Sequence, residues 1–259
     1  REVFFLNRSR MISKAKVKHL KALQVKKYRK EEQCFVIEGA KSVVELLNSN
    51  FEVLWVAATD AFIATEQRLL TKRCVEVALA TEAELVAAGS FQTNDGALAI
   101  ARIKPNTAPV LQPNELALVL DDIRDPGNLG TIIRTADWYG VTHIIASAET
   151  ADLYNAKVIT ATMGSFCRVE VFYANLVEFL TAYNGAVYGA FMDGADVHTI
   201  NFSNGGLLVI GNEANGISQA VAQQITQRIT IPRIGKAESL NAAIATGIML
   251  DVSRRGSLQ

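Results

Sequence analysis

The segment Leu116-Ala-Leu-Val-Leu-Asp-Asp-Ile-Arg-Asp-Pro-Gly-Asn-Leu-Gly-Thr-Ile-Ile-Arg-Thr-Ala136 contains a strand, a loop and the start of a helix. Its first five residues are all apolar, as is typical of a strand that is buried on both faces. The Asp-Pro-Gly stretch predicts a turn. A helix is expected over residues 129–139, with Ile132 and Ile133 facing the core. A buried strand followed by a helix is the unit of a parallel α/β sheet.

The same alternation continues toward the C-terminus. Apolar runs predict strands at 143–147, 169–172, 187–191, 207–210 and 228–231, separated or followed by helices at 154–160, 176–183, 217–224 and 241–254. Continuous apolar strands between helices predict a parallel sheet covered on both faces. We expect a domain of this kind over residues 115–259.

A smaller α/β domain is predicted before it, over residues 1–103. Strand-like runs at 34–38, 51–58, 74–79 and 96–103 alternate with helical patterns at 40–48, 65–71 and 82–88. Residues 104–114 hold three of the five prolines and are expected to form a linker.

Composition excludes several classes of protein. The 259 residues include 26 Lys and Arg against 26 Asp and Glu, and 49% are apolar, which excludes a disordered, collagen-like or small disulfide-bonded protein. No apolar run approaches the roughly 18–20 residues of a membrane-spanning helix, and the basic start does not resemble a secretory signal, so we expect a cytoplasmic protein. The three cysteines and three histidines are scattered, and no metal site is expected.

The balanced net charge hides an asymmetry. The first 30 residues hold eleven Lys and Arg but one acidic residue, Glu2. Such a segment suits a polyphosphate such as RNA, because each neutralised phosphate releases counterions. The candidate RNA-binding residues are Arg10, Lys14, Lys16, Lys18 and Lys21. A solvated helix face or a tail is the alternative.

Apolar residues at Val17, Leu20, Leu23 and Val25 among these bases predict a basic amphipathic helix. That pattern argues against a mere tail. It leaves an acidic membrane surface open as a partner.

Three loops of the larger domain combine glycines with polar residues after predicted strands, where ligands of parallel α/β sheets bind. They are residues 121–136, 208–217 and 231–245. The second loop, Gly211-Asn-Glu-Ala-Asn-Gly216, matches neither the dinucleotide fingerprint nor the ATPase phosphate loop. Taken singly, each loop is also compatible with a plain turn or helix cap, as Ser239 and Asn241 illustrate.

Three stretches of these loops together resemble the three motifs of the SpoU-type (TrmH-like) RNA 2′-O-methyltransferases of the SPOUT superfamily. They are Asn128-Leu-Gly-Thr-Ile-Ile-Arg-Thr-Ala136, Gly211-Asn-Glu-Ala-Asn-Gly216 and Ile231-Pro-Arg-Ile-Gly-Lys-Ala-Glu-Ser-Leu-Asn241. The stretches 12–20 and 35–39 resemble the L30e-like substrate-binding module of that family. The resemblance implies a C-terminal trefoil knot, a homodimer whose site is completed across the interface, and S-adenosylmethionine as the cofactor. The residues expected to contact it are Gly211, Ile231, Leu240 and Met192.

The resemblance also assigns catalytic positions. Arg134 matches the family's essential arginine, to which proposals give the proton of the ribose hydroxyl. A charged guanidinium that grips a phosphate and orients the ribose is the less demanding role, and both stay open. The polar residues expected around the reacting oxygen are Asn128, Ser239 and Asn241, with Glu213 orienting the loop or an arginine partner. No metal is required.

The third motif departs from the family pattern, and the RNA substrate is not determined by the motifs. Arg233 stands where the third motif usually carries Met, and residues 235–238 are more charged than expected, so substrate contacts can differ. The module at the N-terminus favours structured ribosomal RNA of the 23S type as substrate. A transfer RNA methyltransferase and a catalytically silent RNA-binding protein of the same fold are the alternatives.

Overall fold

The computed structural model describes residues 8–10, 12–94 and 96–255 and divides into two compact units. The first unit contains the described residues up to Pro105 together with Tyr154–Cys167. The second contains Asn106–Leu153 and the described residues from Arg168 onward. No helix in these stretches is both long and apolar enough to cross a bilayer.

The first unit is built on a five-stranded sheet. Its elements are β1 (Arg8–Arg10), α1 (Lys14–Leu23), α2 (Lys26–Glu32), β2 (Cys34–Glu38), α3 (Ala40–Asn48), β3 (Val53–Ala58), α4 (Asp60–Thr65), α5 (Gln67–Arg73), β4 (Glu76–Leu79), α6 (Glu82–Ala88) and β5 (Ala97–Arg102). The strand order is β1-β4-β3-β5-β2, in which β1, β4 and β3 are parallel and β5 runs antiparallel to both of its neighbours.

The basic segment folds differently from the predicted single helix. It contributes β1 and two helices, because the chain leaves α1 after Leu23 and re-enters a helix at Lys26. Leu20 and Leu23 are buried as predicted, but Val25 lies at the bend between the helices and is half exposed. Assigning Val25 to the apolar face of one helix was therefore wrong.

Arg29 explains how the two helices are held together. The side chain is only 3% exposed, and its guanidinium donates hydrogen bonds to the carbonyl oxygens of Leu23 at 3.0 Å and Gln24 at 2.7 Å. These carbonyls lie at the end of α1, where helix geometry leaves them without partners. Arg29 thus serves the fold and is not part of a solvent-facing basic surface.

The second unit is built on a six-stranded sheet. The remaining elements of the chain are β6 (Leu116–Asp121), α7 (Pro126–Trp138), β7 (His143–Ala146), α8 (Ala156–Thr162), β8 (Glu170–Tyr173), α9 (Leu176–Ala182), β9 (Val187–Asp196), β10 (Gly206–Gly211), α10 (Gln219–Ala222), β11 (Gln227–Thr230) and α11 (Ala242–Arg255). The order β11-β9-β10-β6-β7-β8 is parallel throughout, which confirms the predicted sheet.

The helix α8 follows β7 in the chain yet belongs to the first unit. In that unit the Phe166 ring lies 6.2 Å from the Phe35 ring and 5.8 Å from the Phe51 ring, centroid to centroid. Tyr154 packs on Phe35 at 4.6 Å. The predicted domain limits of 1–103 and 115–259 place Tyr154–Cys167 in the second domain, whereas the structure places this segment in the first unit. Residues from Asn106 of the predicted linker belong to the second unit.

The helix α7 begins where the sequence indicated a turn. The Asp125 carboxylate accepts a hydrogen bond from the Asn128 N–H at 2.8 Å, and Pro126 occupies the first helical turn, where a missing N–H costs nothing. Ile132 and Ile133 are fully buried, as predicted. This start places Asn128 in the first turn, directly beyond the carboxyl end of β6.

Candidate active site

The carboxyl ends of β6 and β10 meet at one edge of the second sheet. The two strands are parallel neighbours, and Asp121 pairs with Gly211 in their register. The loops that follow them therefore start side by side. These are the first two of the three loops singled out in the sequence, and the crevice beyond such strand ends is where α/β sheets bind ligands.

A chain of side-chain hydrogen bonds joins all three loops. The Asn241 amide donates to Oδ1 of Asn128 at 2.9 Å, and the Asn128 amide donates in turn to Oε1 of Glu213. Asn128 uses both ends of its amide, so its orientation is determined from two sides. Three predicted catalytic residues are thus brought into one network, although Asn128 lies 85 positions from Glu213 and 113 from Asn241 in the chain.

Glu213 was expected to orient either its loop or an arginine. Its hydrogen-bond partner is the amide of Asn128, and among the described residues no arginine pairs with it. The carboxylate is half-buried, where an acceptor without a donor would be costly. The loop-orienting role is the one that this geometry supports.

Two residues that sequence reasoning missed shape the Glu213 loop. Asn212 donates from Nδ2 to the Asp122 carbonyl oxygen at 2.8 Å and accepts at Oδ1 from the Ala214 N–H at 2.9 Å. Asp121, which is buried, accepts a hydrogen bond from the Ser218 N–H at 2.7 Å. Their positions immediately at strand ends were the available signal, because polar residues there commonly hold a turn.

Gly211 is required by a close approach of backbone to backbone. A Cβ atom at this position would lie 2.3 Å from both the Gly216 carbonyl carbon and the Ile217 nitrogen. Asn212 and Gly216 also exchange two backbone hydrogen bonds, of 3.0 and 2.8 Å, which close the loop on itself. A side chain at Gly211 would thus collide with its own loop and displace it, before any question of space for a ligand arises.

A pocket of about 600 Å³ opens beside this loop. All four residues predicted to contact the cofactor line it, and so do Glu213 and Ser239; the predicted cofactor residues are Gly211, Ile231, Leu240 and Met192. Much of the remaining wall is apolar, with Phe191 and Ile210 among its members. A volume of this size and a largely apolar wall are typical of sites for small organic ligands and cofactors.

The two polar residues of the third loop have different roles. Asn241 caps α11, since its Oδ1 accepts hydrogen bonds from the N–H groups of Ala243 at 2.9 Å and Ile244 at 3.3 Å. Ser239 is exposed, lines the pocket and makes no hydrogen bond with its side chain to another described residue. Its hydroxyl is therefore free to serve a ligand.

Arg134 lies apart from the network. It is exposed on α7, forms no hydrogen bond or ion pair with a described residue, and is not among the residues lining the pocket. It follows Asn128 by six positions, which turns the two side chains about 120° apart on a helix of 3.6 residues per turn. Within one chain, the structure does not bring Arg134 to the other predicted catalytic residues.

The predicted RNA-binding residues lie in the first unit. Lys14, Lys18 and Lys21 are exposed and, at spacings of four and three, share one face of α1. Lys16 points elsewhere and lies over the Trp55 ring at 5.0 Å, while the side chain of Arg10 lies outside the described residues. In the part of the chain that is described, no group of three or more His, Cys, Asp or Glu side chains is arranged to hold a metal ion.

Two families match the chain by sequence. The SpoU rRNA Methylase family matches residues 115–251, and the MRM3-like substrate binding domain matches residues 14–99. Both matches agree with the resemblance identified from the three loops and from the N-terminal stretches. The predicted family and the presence of a substrate-binding domain are confirmed, while the trefoil knot stays a prediction.

One relative matches along most of the chain, and another matches about half of it. The chain is 32% identical over 241 residues to the 23S rRNA (guanosine(2553)-2′-O)-methyltransferase RlmP of Bacillus subtilis (strain 168), covering 91% of this chain and 94% of that protein. It is 32% identical over 145 residues to a 23S rRNA (guanosine-2′-O-)-methyltransferase RlmB of Neisseria meningitidis, covering 54% of this chain and 58% of the relative.

A solved structure agrees with these relatives. The AdoMet-bound rRNA methyltransferase from Sinorhizobium meliloti is similar with a TM-score of 0.88 at 31% identity, covering 98% of this chain and all of the other. The predicted α/β class with an N-terminal domain is thereby confirmed. Since one family covers residues 115–251 and a relative matches along nearly the full length, the chain belongs to the SpoU rRNA methylase family.

Proposed function

We propose that this protein transfers a methyl group from S-adenosylmethionine to a ribose 2′-oxygen of structured ribosomal RNA of the 23S type. The observation that carries the proposal is the hydrogen-bonded chain Asn241–Asn128–Glu213 beside a pocket lined by the predicted cofactor residues. Family membership supports the enzyme class and the cofactor that the sequence predicted. Relatives named for 23S rRNA favour that substrate over transfer RNA.

The residues present fit S-adenosylmethionine. The pocket has room for a molecule of nucleoside size with an amino-acid tail, and its wall combines apolar side chains with the turned backbone at Gly211. Ile231, Leu240 and Met192 would supply apolar contacts. When bound, this cofactor supplies an electrophilic methyl group on a sulfonium.

The polar network holds the substrate side of the site in register. Asn128 and Asn241 cannot rotate independently because each amide is tied to the other and to a loop or a helix end. Such preorganised groups lower a barrier without reorganising during the reaction. Ser239, whose hydroxyl has no described partner, is placed to hydrogen-bond the ribose or the cofactor.

A homodimer would bring Arg134 to the pocket. Thr131, Arg134 and Trp138 lie on one exposed face of α7, and the Trp138 side chain is 83% exposed. Ile244 on the packed neighbour α11 is 56% exposed. A second copy of the chain packed here would take both apolar side chains out of water. Arg134 of the partner subunit would then hold the phosphate and ribose of the substrate with its planar fork.

The first unit would bind parts of the RNA other than the reacting nucleotide. The Lys14, Lys18 and Lys21 face of α1 offers three cations without described acidic partners. Structured RNA is recognised largely through its phosphates and shape. Because its proposed substrate is ribosomal RNA, we place the enzyme in the cytoplasm.

Methyl transfer and cofactor binding measured together test the proposal. Calorimetry with S-adenosylmethionine and S-adenosylhomocysteine should give one site per subunit, and labelled methyl groups should pass to 23S rRNA fragments and not to transfer RNA. Binding of RNA without any binding of the cofactor would identify a catalytically silent RNA-binding protein. Transfer to transfer RNA alone would replace the substrate and keep the enzyme class.

A further inference from the structure

The segment between β11 and α11 carries cations that the catalytic network does not use. Residues 232–241 are all exposed, and Arg233, Ile234 and Gly235 line the pocket. The segment contains two cations, Arg233 and Lys236, and one acidic residue, Glu238. An exposed residue that also lines a pocket lies at its mouth.

The loop presents these cations unneutralised. Neither Arg233 nor Lys236 forms an ion pair with a described carboxylate, and Glu238 in the same loop pairs with neither. Arg233 donates from Nη1 to the Ala237 carbonyl oxygen at 3.2 Å. This bond folds the loop and orients the guanidinium, while its other N–H groups stay available for an acceptor.

Ile234 lies between the two cations and is fully exposed. A large apolar side chain that is fully exposed at the pocket mouth thus shares one short segment with two cations. Beside a nucleotide, such a side chain can cover a sugar or base while adjacent cations hold the phosphates. The cations of this short loop thus suit the phosphates of a nucleotide, and its exposed apolar side chain suits the sugar or base.

We propose that Arg233 and Lys236 bind the RNA phosphates that flank the target nucleotide, with Ile234 packed against its sugar or base. This inference rests on the proposed function, since it assumes that an RNA ribose reaches the mouth of the pocket. A phosphate is the anion that must then arrive with the ribose. Arginine is suited to it because its planar fork can make two hydrogen bonds to phosphate oxygens.

Neutral variants of similar length test the two cations. Arg233→Met and Lys236→Met should each weaken RNA binding about tenfold, the scale of one hydrogen bond to a charged group. Each should also reduce the slope of log Kd against log salt by about 0.7–0.9, the value for one phosphate contact. Lys72→Met, which removes an exposed cation of α5 in the first unit, is the control and should change the slope by less.

Substrate modification locates the contact. A neutral methylphosphonate placed beside the target nucleotide should weaken binding to the unaltered enzyme but not further weaken binding to Arg233→Met. Additive losses would overturn the proposed contact. Affinity for S-adenosylhomocysteine should be unchanged in Arg233→Met; a loss there would show that Arg233 holds the carboxylate of the cofactor.

The outcomes distinguish a failure of this inference from a failure of the proposed function. If the unaltered enzyme methylates RNA while both variants bind RNA with unchanged affinity and salt dependence, the loop has no phosphate contact and the enzyme assignment stands. If the unaltered enzyme neither binds the cofactor nor transfers methyl groups, the proposed function itself fails.

Discussion

The two units of the molecule place their polar residues in opposite ways. In the second unit, Asn241, Asn128 and Glu213 converge from three loops and are fixed by hydrogen bonds. In the first unit, the lysines of α1 spread along a helix face with no such network. Chemistry on one atom needs exact geometry, whereas attraction to a polyphosphate depends mainly on the number of charges. Single changes should therefore act strongly in the second unit and weakly on the basic face.

The largest effect is expected on stability, in the segment Tyr154–Cys167 that packs in the first unit. Phe166→Ala should destabilise the protein by about 3–5 kcal/mol, since the ring is buried against Phe35 and Phe51. Phe172→Ala, whose half-buried ring packs on Phe179 in the second unit, is the control and should cost less. Denaturant unfolding monitors both. A loss of stability in Phe166→Ala no larger than about 1 kcal/mol would mean that the first unit does not depend on this ring.

The next effect separates chemistry from binding at Arg134. Arg134→Lys keeps the charge but loses the planar fork, so methyl transfer should fall by on the order of 100-fold, the scale of one lost preorganised contact. The substrate KM should move less than kcat. Folding, dimerisation and cofactor affinity should be normal, as in the control Arg68→Lys, which changes an exposed residue of α5. A full kcat with a raised KM would show that Arg134 only binds RNA.

The hydrogen-bond chain can be broken and rebuilt. Asn128→Asp sets a second carboxylate against Glu213, so activity at about pH 8 should fall more than in Asn128→Ala. The difference in activity between the two variants should be smaller at about pH 5.5. The reason is that two neighbouring carboxylates raise the pKa of one of them and can share a proton.

A double variant provides the control for this pair. Combining Asn128→Asp with Glu213→Gln exchanges donor and acceptor and should recover part of the activity. Kinetics over this pH range measure both effects. A double variant no better than Asn128→Asp alone would mean that the contact between these side chains is not what matters for the reaction.

The smallest effect is expected on the basic face. Replacing Lys14, Lys18 and Lys21 by Gln should lower the slope of log Kd against log salt by about two, at roughly 0.7–0.9 per phosphate contact. Lys16→Gln alone should change it less, because Lys16 lies over Trp55. Cofactor affinity should not respond. An unchanged slope in the triple variant would make this surface a solvated helix face.

Local patterns were sufficient for most elements. The apolar run at 116–120 predicted β6, because burial of a strand is visible in its own residues. The helix α7 was predicted from residue 129 but begins at Pro126, because Asp125 caps it and the Asp-Pro-Gly stretch is its first turn and not a separate turn. The bend at Val25 was missed, since the pattern of apolar residues continues across it and the contacts of Arg29 that stabilise it are made by folding. Asp121 and Asn212 were missed for a similar reason.

The order of residues alone determined the α/β class, the family, and the choice of Asn128, Glu213 and Asn241 as candidates for the site. These follow because periodicity and motif spacing are properties of the chain itself. Tertiary structure was needed to assign α8 to the first unit, to join Asn241 to Glu213 through Asn128, and to separate Arg134 from them. Those relations depend on which distant segments pack together, and a helix or loop of given pattern can satisfy its local preferences in either unit.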